Sequence, residues 1–240
     1  MNNQSKKVTI ITVCLNEINN IRNTCNSVIS QLYQNYEWII IDGGSKDGTI
    51  EYLSNFKDRI THLVSEEDNG IYHAMNKGIK LSSGNYIIFL NAGDFFNSSS
   101  SLNFFNSDRR EDLIFGDLKL YSDGKIKKYE DIINLKKLKK RNSIPHQATF
   151  YNRKLFDKLG SYDESYLISG DYEFNIRIFK YLEPTYQHIP EPISVFLNDG
   201  ISSRKEFKKV IKRENHIIRK KYFPSYLFSF KRLREELRFR

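Results

Sequence analysis

The feature that most constrains this chain is an alternation of two hydrophobic periods through residues 1–95. Val8–Val13 is a β-branched run, the pattern of a strand buried on both faces. Ile21, Cys25, Val28, Ile29 and Leu32 then recur at helical spacing. Trp38–Ile41 is a second apolar strand, closed by Asp42-Gly43-Gly44-Ser45, and Asp47-Gly48-Thr49 opens a helix with Ile50, Leu53 and Phe56 on one side. His62–Val64 reads as a third strand, Ile71, Met75 and Ile79 as a third helix, and Tyr86–Leu90 as a fourth strand followed by Asn91-Ala92-Gly93-Asp94. Strands separated by helices imply parallel β-α-β units with right-handed crossovers. Such sheets bind ligands outside the carboxyl ends of their strands. Asn16-Glu17, Asp42–Ser45 and Asp94, far apart in sequence, are all expected at that edge.

The second half has a different rhythm. Leu113–Tyr121 and Lys125–Tyr129 flank Ser122-Asp123-Gly124, a hairpin signal. A basic helical stretch, Leu135–Arg141, leads to Ile144-Pro145-His146-Gln147 and a strand-like Ala148–Tyr151. Gly170-Asp171 precedes the helical pattern Phe174, Ile178, Phe179. Charge divides the chain further. Of a formal net charge of +9, residues 201–240 carry 14 Lys/Arg against 4 Asp/Glu, so the body is close to neutral. This segment reads as a basic amphipathic helical extension of a domain spanning residues 1–200. Cys14 and Cys25 read as small core hydrophobes, with no disulfide framework or metal-type spacing. The polar N-terminus does not resemble a signal peptide, and no run approaches the roughly 18 apolar residues of a membrane span. A cytoplasmic protein is expected.

Three blocks carry a family resemblance. The first is V-T-I-I-T-V-C-L-N-E with W-I-I-I-D-G-G-S-K-D-G-T. The second is E-E-D-N-G-I-Y-H-A-M-N-K-G-I leading to G-N-Y-I-I-F-L-N-A-G-D, and the third is P-H-Q-A-T-F-Y with S-G-D-Y-E-F-N-I-R. In order and spacing they resemble family 2 glycosyltransferases of the GT-A fold, over residues 8 to about 200. Among those, the chain looks most like bacterial enzymes building capsule, O-antigen or exopolysaccharide. The resemblance implies an α/β, Rossmann-like, mostly parallel central sheet flanked by helices. Residues 1–95 would form the nucleotide-sugar-binding half and 96–200 the acceptor-side half. It further implies an inverting transfer of sugar from a nucleotide-sugar, expected to be a UDP-sugar, to an acceptor hydroxyl, with a divalent cation (Mn²⁺ or Mg²⁺).

The chemistry of the blocks agrees. A nucleotide base needs in-plane hydrogen-bond partners at the sheet edge. Asp42 can accept from a uracil ring nitrogen, with Thr12, Leu15, Asn16 and Glu17 along base and ribose and Ser45 beside them. Turn and helix-cap roles are the alternative for Asp42 and Ser45. Asn76 and Lys77 stand where the family contacts its donor, although Met75 replaces the usual arginine. Asn91, Ala92 and Gly93 replace part of an Asp-x-Asp motif and leave Asp94 as the metal ligand, since a cation shared with a diphosphate can take most of its oxygens from phosphate and water. Asp171 is the expected general base, which must remove the acceptor hydroxyl proton. Gly170 replaces a neighbouring acid, and His146 and Gln147 are assigned to the sugar or acceptor side. Glu173 is expected to be solvated or structural, and His73 has no assigned role.

For the tail, packing on the body competes with peripheral contact to an anionic membrane. In the second reading Lys and Arg meet headgroups while Tyr222, Phe223, Tyr226, Leu227 and Phe230 enter the interface. That suits an acceptor carried on a polyprenyl diphosphate. The absence of G-x-G-x-x-G and of a phosphate loop after the first strand argues against a dinucleotide oxidoreductase and a nucleotidyltransferase. Positive charge confined to the tail argues against nucleic acid. A non-catalytic saccharide-binding relative is the alternative that Asn91, Gly93 and Gly170 suggest.

Overall fold

The computed structural model describes residues 6–197 and 204–223. Among these residues nine strands form one sheet. They are β1 (Val8–Cys14), β2 (Tyr36–Asp42), β3 (His62–Ser65), β4 (Tyr86–Phe89), β5 (Phe95–Phe96), β6 (Leu113–Leu120), β7 (Ile126–Lys127), β8 (Thr149–Asn152) and β9 (Tyr186–Phe196). The order is β3-β2-β1-β4-β8-β6-β9-β5, with β7 paired to β6. The first four strands are parallel, as expected from the β-α-β alternation. The helices between them are α1 (Ile21–Ile29), α2 (Thr49–Leu53) and α3 (Ile71–Leu81). α1 is shorter than its apolar repeat: Leu32 lies beyond its end and is exposed.

The central strands β1, β2 and β4 bury both faces. Along β1, Ile11 and Val13 face one core layer, which takes in α3, α5 (Lys154–Leu159) and α6 (Gly170–Tyr181). Val8, Ile10 and Cys14 face the other, with Cys25 and Val28 of α1 and Trp38 of β2. Both cysteines are free and buried there. The hairpin forms across Gly124, whose φ of 66° requires a residue tolerant of the left-handed region, while Leu135–Arg141 shrinks to the single turn α4 (Leu135–Leu138). The basic amphipathic helix exists as α7 (Lys208–Tyr222). Its Ile218 and Tyr222 are buried in the same core layer as α3 and α6. Among the described residues no helix is long and apolar enough to cross a membrane.

Register decides what meets at the sheet edge. β8 runs antiparallel to β4, Tyr86 opposite Asn152 and Ile87 opposite Tyr151, so the start of β8 lies beside the end of β4. The residues before β8, His146 and Gln147, are thereby brought next to Asn91–Asp94. β6 is antiparallel to β8, and β9 is parallel to β6, so the carboxyl end of β9 reaches the same edge.

Candidate active site

Asp94 closes the loop that leads from β4 to β5 and is 4% exposed. Its backbone is held by α1, where Thr24 Oγ1 donates to Asp94 O at 2.8 Å and accepts from Gly93 N at 3.0 Å. Gly93 has φ 95°, and a Cβ there would stand 2.7 Å from Leu197 Cδ2, which accounts for glycine at this place. Leu197, just past β9, donates its N–H to Asp94 Oδ1 at 3.1 Å. Burial pushes the Asp94 carboxyl up to about 7, against the lowering effects of nearby His146 and of that backbone bond. Asn91 Oδ1 is buried and finds no hydrogen-bond partner among the described residues.

Asp171 lies in the first turn of α6. Its Oδ2 accepts from Asn142 Nδ2 at 2.9 Å and lies 3.2 Å from His146 Nδ1, while Tyr72 OH is 3.4 Å from Oδ1. Tyr72 also accepts the Asp171 N–H at 3.2 Å and donates to Ile168 O at 2.5 Å, so α3 fixes the entry to α6. Gly170 is required by this packing: a Cβ would meet the Tyr72 ring at 2.8 Å. His146 Nε2, the ring nitrogen away from Asp171, is buried with no partner among the described residues. His146 thus touches Asp171 directly and lies near enough to Asp94 for its charge to favour the ionised carboxylate, so Asp94, His146, Gly170 and Asp171 belong to one edge. Gln147 is buried beside them, its carbonyl accepting from Ser194 Oγ at 2.7 Å.

Asn142, Tyr72 and Asn175 were not singled out in the sequence. Asn175 accepts from Tyr151 OH at 3.1 Å and donates to Asn142 Oδ1 at 3.3 Å, which steadies the amide facing Asp171. A signal for it exists: an amide one helical turn after the acid, on an otherwise apolar face. Glu173 is structural: 1% exposed, it pairs with Arg177 at 2.7 Å and accepts from Tyr222 OH.

At the β1–β2 edge the structure corrects several expectations. Thr12 shares the β1 face of Ile10 and Cys14, is fully buried, and its hydroxyl accepts from Trp38 Nε1 at 3.0 Å. It faces the core and not a ligand. Asp42 is also 0% exposed. Its Oδ2 accepts from Gly44 N at 3.0 Å, Ser45 N at 2.9 Å and Ser65 Oγ at 2.7 Å, and its Oδ1 from Ser45 Oγ. The carboxylate organises the turn and is closed to a base. Ser45 Oγ additionally accepts from Asn16 N at 2.7 Å, and Asn16 Oδ1 from Lys46 N at 2.9 Å, so both side chains zip the β1 and β2 loops together. Glu17 accepts from Asn20 Nδ2 at 2.7 Å. The Asn76 carboxamide is buried and engaged by the 162–164 loop, through Tyr162 N, Tyr162 O and Glu164. Lys77 pairs with Glu66 at 2.8 Å and donates to Glu67 O at 3.3 Å. Leu15 is open, 52% exposed, and Ala92 is half-buried.

Among the described residues no three His, Cys, Asp or Glu groups gather as a metal cage. What the edge offers a cation is Asp94 and the orphaned amide oxygen of Asn91, both hard oxygen donors. That set fits an ion drawing most of its ligands from a bound diphosphate.

A family model described as glycosyl transferase family 2 matches residues 9–160, spanning β1 through α5. The chain belongs to that family. A PGL/p-HBAD biosynthesis glycosyltransferase of Mycobacterium bovis is 30% identical over 189 residues, covering 75% of this chain and 69% of that protein. Glycosyltransferase AglE of Haloferax volcanii is 40% identical over 88 residues, or 35% of this chain and 29% of its own. In fold, the chain resembles TarS of S. aureus with a TM-score of 0.69 at 15% identity, covering 93% of this chain but only 40% of that one. It also resembles TarS 1–349 in complex with UDP-GlcNAc (TM-score 0.68, 14% identity, covering 88% and 66%). The mannosyltransferase PcManGT from Pyrobaculum calidifontis, in complex with GDP-Man and Mn²⁺, has a TM-score of 0.61 at 13% identity, covering 92% and 73%. These likenesses bear out the GT-A architecture of the family 2 glycosyltransferases.

Proposed function

We propose that this chain is an inverting glycosyltransferase that moves a sugar from a UDP-sugar to a hydroxyl of a saccharide acceptor. The observation that carries the reading is Asp171, held against His146 at the sheet edge where Asp94 is buried. Asp171 is held by Asn142 and Tyr72, and Asp94 is buried at the β4 edge. In the reaction the acceptor oxygen attacks the anomeric carbon, the bond from that carbon to the phosphate oxygen breaks, and the nucleoside diphosphate departs with the electron pair. Asp171 takes the hydroxyl proton. Attack opposite the leaving group inverts the anomeric centre. His146 Nδ1 and Asn142 Nδ2 hold the Asp171 carboxylate in place, and Leu15, open at the end of β1, offers an apolar face to the donor. Asp94 and Asn91 would hold a divalent cation (Mn²⁺ or Mg²⁺), which when bound neutralises charge on the leaving diphosphate.

The TarS complex with UDP-GlcNAc supports a UDP-sugar donor for this architecture. A lipid-linked saccharide of bacterial surface polysaccharide is the acceptor class we favour, with the enzyme working at the cytoplasmic face of the membrane. The reading is tested by release of UDP from a panel of UDP-sugars, with and without polyprenyl-diphosphate-linked saccharides and Mn²⁺. Acceptor-stimulated release is expected. No release from any donor, together with no nucleotide binding, would leave the non-catalytic alternative.

A further inference from the structure

A base docking between the ends of β1 and β2 needs an acceptor for its ring N–H, and Asp42 does not provide one. All its donors are internal: the Gly44 and Ser45 amides, the Ser45 and Ser65 hydroxyls and the Cys14 thiol. A second carboxylate reaches the same place from another loop. Asp68, between β3 and α3, is half-buried, and its Oδ1 accepts the Gly70 N–H at 2.9 Å. Its Oδ2 lies 2.8 Å from the point where a Cβ on residue 43 would stand. Only glycine at position 43 lets the carboxylate lie this close over the turn after β2. Leu15 Cδ1 is 3.4 Å from the same point. An exposed apolar side chain and a carboxylate oxygen with no hydrogen-bond partner among the described residues therefore meet above a backbone that carries no side chain.

The loop that presents Asp68 is braced on every side. Glu66 N donates to Asp42 O at 3.0 Å, Lys77 pairs with Glu66, and Asn69 N donates to His73 Nδ1 at 3.1 Å. His73 and Lys77 thus gain a role as supports of this loop. A carboxylate held this way loses little freedom on binding, which is what allows one hydrogen bond to discriminate between ligands.

We propose that Asp68 is the residue that reads the nucleotide base, its Oδ2 accepting the N3–H of a uracil laid against Leu15 over Gly43. The inference rests on the donor reading above and names its specificity. A carboxylate oxygen only accepts, so it matches uracil N3–H and opposes cytosine, whose N3 carries a lone pair. Leaving that pair unmatched in a partly desolvated site penalises the wrong base far more than it rewards the right one.

Calorimetric titration of UDP, CDP and GDP into the full chain, with Mn²⁺ present, tests this. The wild type is expected to bind UDP at least about ten-fold tighter than CDP and GDP. Asp68→Asn should weaken UDP by about ten- to a hundred-fold and narrow or reverse the UDP/CDP preference, because an amide can donate to cytosine N3. Gly43→Ala should act in the same direction by displacing the carboxylate, and the unfolding temperature of each variant verifies that it is folded. A folded Asp68→Asn that binds UDP like the wild type overturns the assignment, as does a wild type that prefers CDP or GDP. A wild type that binds no nucleotide fails earlier, at the donor site itself.

Discussion

Asp171 and Asp42 are both aspartates beside glycines at the ends of regular elements, yet their surroundings give them opposite roles. Asp171 is steadied by three groups, His146 among them, yet its side chain stays 14% exposed. Asp171→Asn should therefore lower transfer about 10²- to 10⁴-fold while UDP binding stays within about two-fold, as kinetics and calorimetry on the same preparation would show. Unchanged turnover would remove Asp171 from the mechanism. Asp42 has no open face. Asp42→Ala strips an acceptor from several buried donors and is expected to destabilise the protein by about 3 kcal/mol, read from chemical denaturation. The sequence could place Asp42 at the sheet edge, because strand ends are legible from periodicity, whereas Asp171, at the start of a helix, was legible through the family motif. Whether a carboxylate is open or closed depends on donors from elsewhere, such as Ser65 one strand away, and no local pattern announces them. The same limit applies to Thr12: its place on β1 was legible, but the indole that engages it belongs to β2.

Elements with a strong period emerged where the sequence placed them. β1, β2 and β4 are buried on both faces, and α3 shows a clear apolar stripe. β9 has no counterpart in the sequence analysis, and Pro190 and Pro192 interrupt its apolar pattern. The structure resolves the conflict with a bulge: Gly116 pairs with Ile189 and Asp117 with Pro192, so Pro190 and Glu191 fall out of register. α7 was legible as a basic amphipathic helix, but its main attachment was not, since a glutamate among lysines reads as solvated. Glu214 is 8% exposed and accepts the N–H groups of Leu167 at 2.6 Å, Ile168 at 3.1 Å and Ser169 at 2.8 Å. These residues immediately precede α6, so α7 helps to aim Asp171 without touching it. Glu214→Gln, which keeps one acceptor oxygen, should lower kcat about ten-fold with the KM for the nucleotide-sugar unchanged, and Glu214→Ala should lower it further. A fall in unfolding temperature with no change in kcat would mean that the helix merely stabilises the body.

At the scale of the whole molecule, the two ends of the sheet differ in purpose. The amino end is tied by Glu37, 4% exposed, which accepts from Thr9 Oγ1 at 2.5 Å and from Ser83 N and Oγ, each at 2.6 Å, and pairs with Lys7 at 2.6 Å. Burial alone would raise its carboxyl, but bonds from Lys7, Ser83 and Thr9 outweigh it and hold the value at about 2, below the ordinary 4.5. A folded-state value lower than the unfolded one stabilises above about pH 4.5, and that contribution drains away as pH falls toward 2. The full shift corresponds to roughly 3 kcal/mol. Glu37→Gln should thus be less stable than the wild type at pH 7, and the gap should close across that acid window in denaturant titrations at stepped pH. The carboxyl end carries the site, and α7 lies on the body nearby, which changes how membrane contact must be tested. Tyr222 is buried and Phe223 packs against the same core, so neither is free to enter a lipid interface, while Tyr226, Leu227 and Phe230 lie outside the described residues. Cutting the chain near Ile201 would remove Ile218, Tyr222 and Glu214 from the body, and a loss of binding would then report unfolding. The exposed cations Lys208, Lys209, Lys212 and Arg213 can be neutralised without touching that packing. With all four changed to Gln, flotation on vesicles rich in anionic lipid should fall by roughly ten-fold or more, given about 1 kcal/mol per basic residue near such a surface, and should fall likewise for the wild type in high salt. Equal flotation of the wild type and the neutralised chain would show that α7 serves the fold and the catalytic base alone.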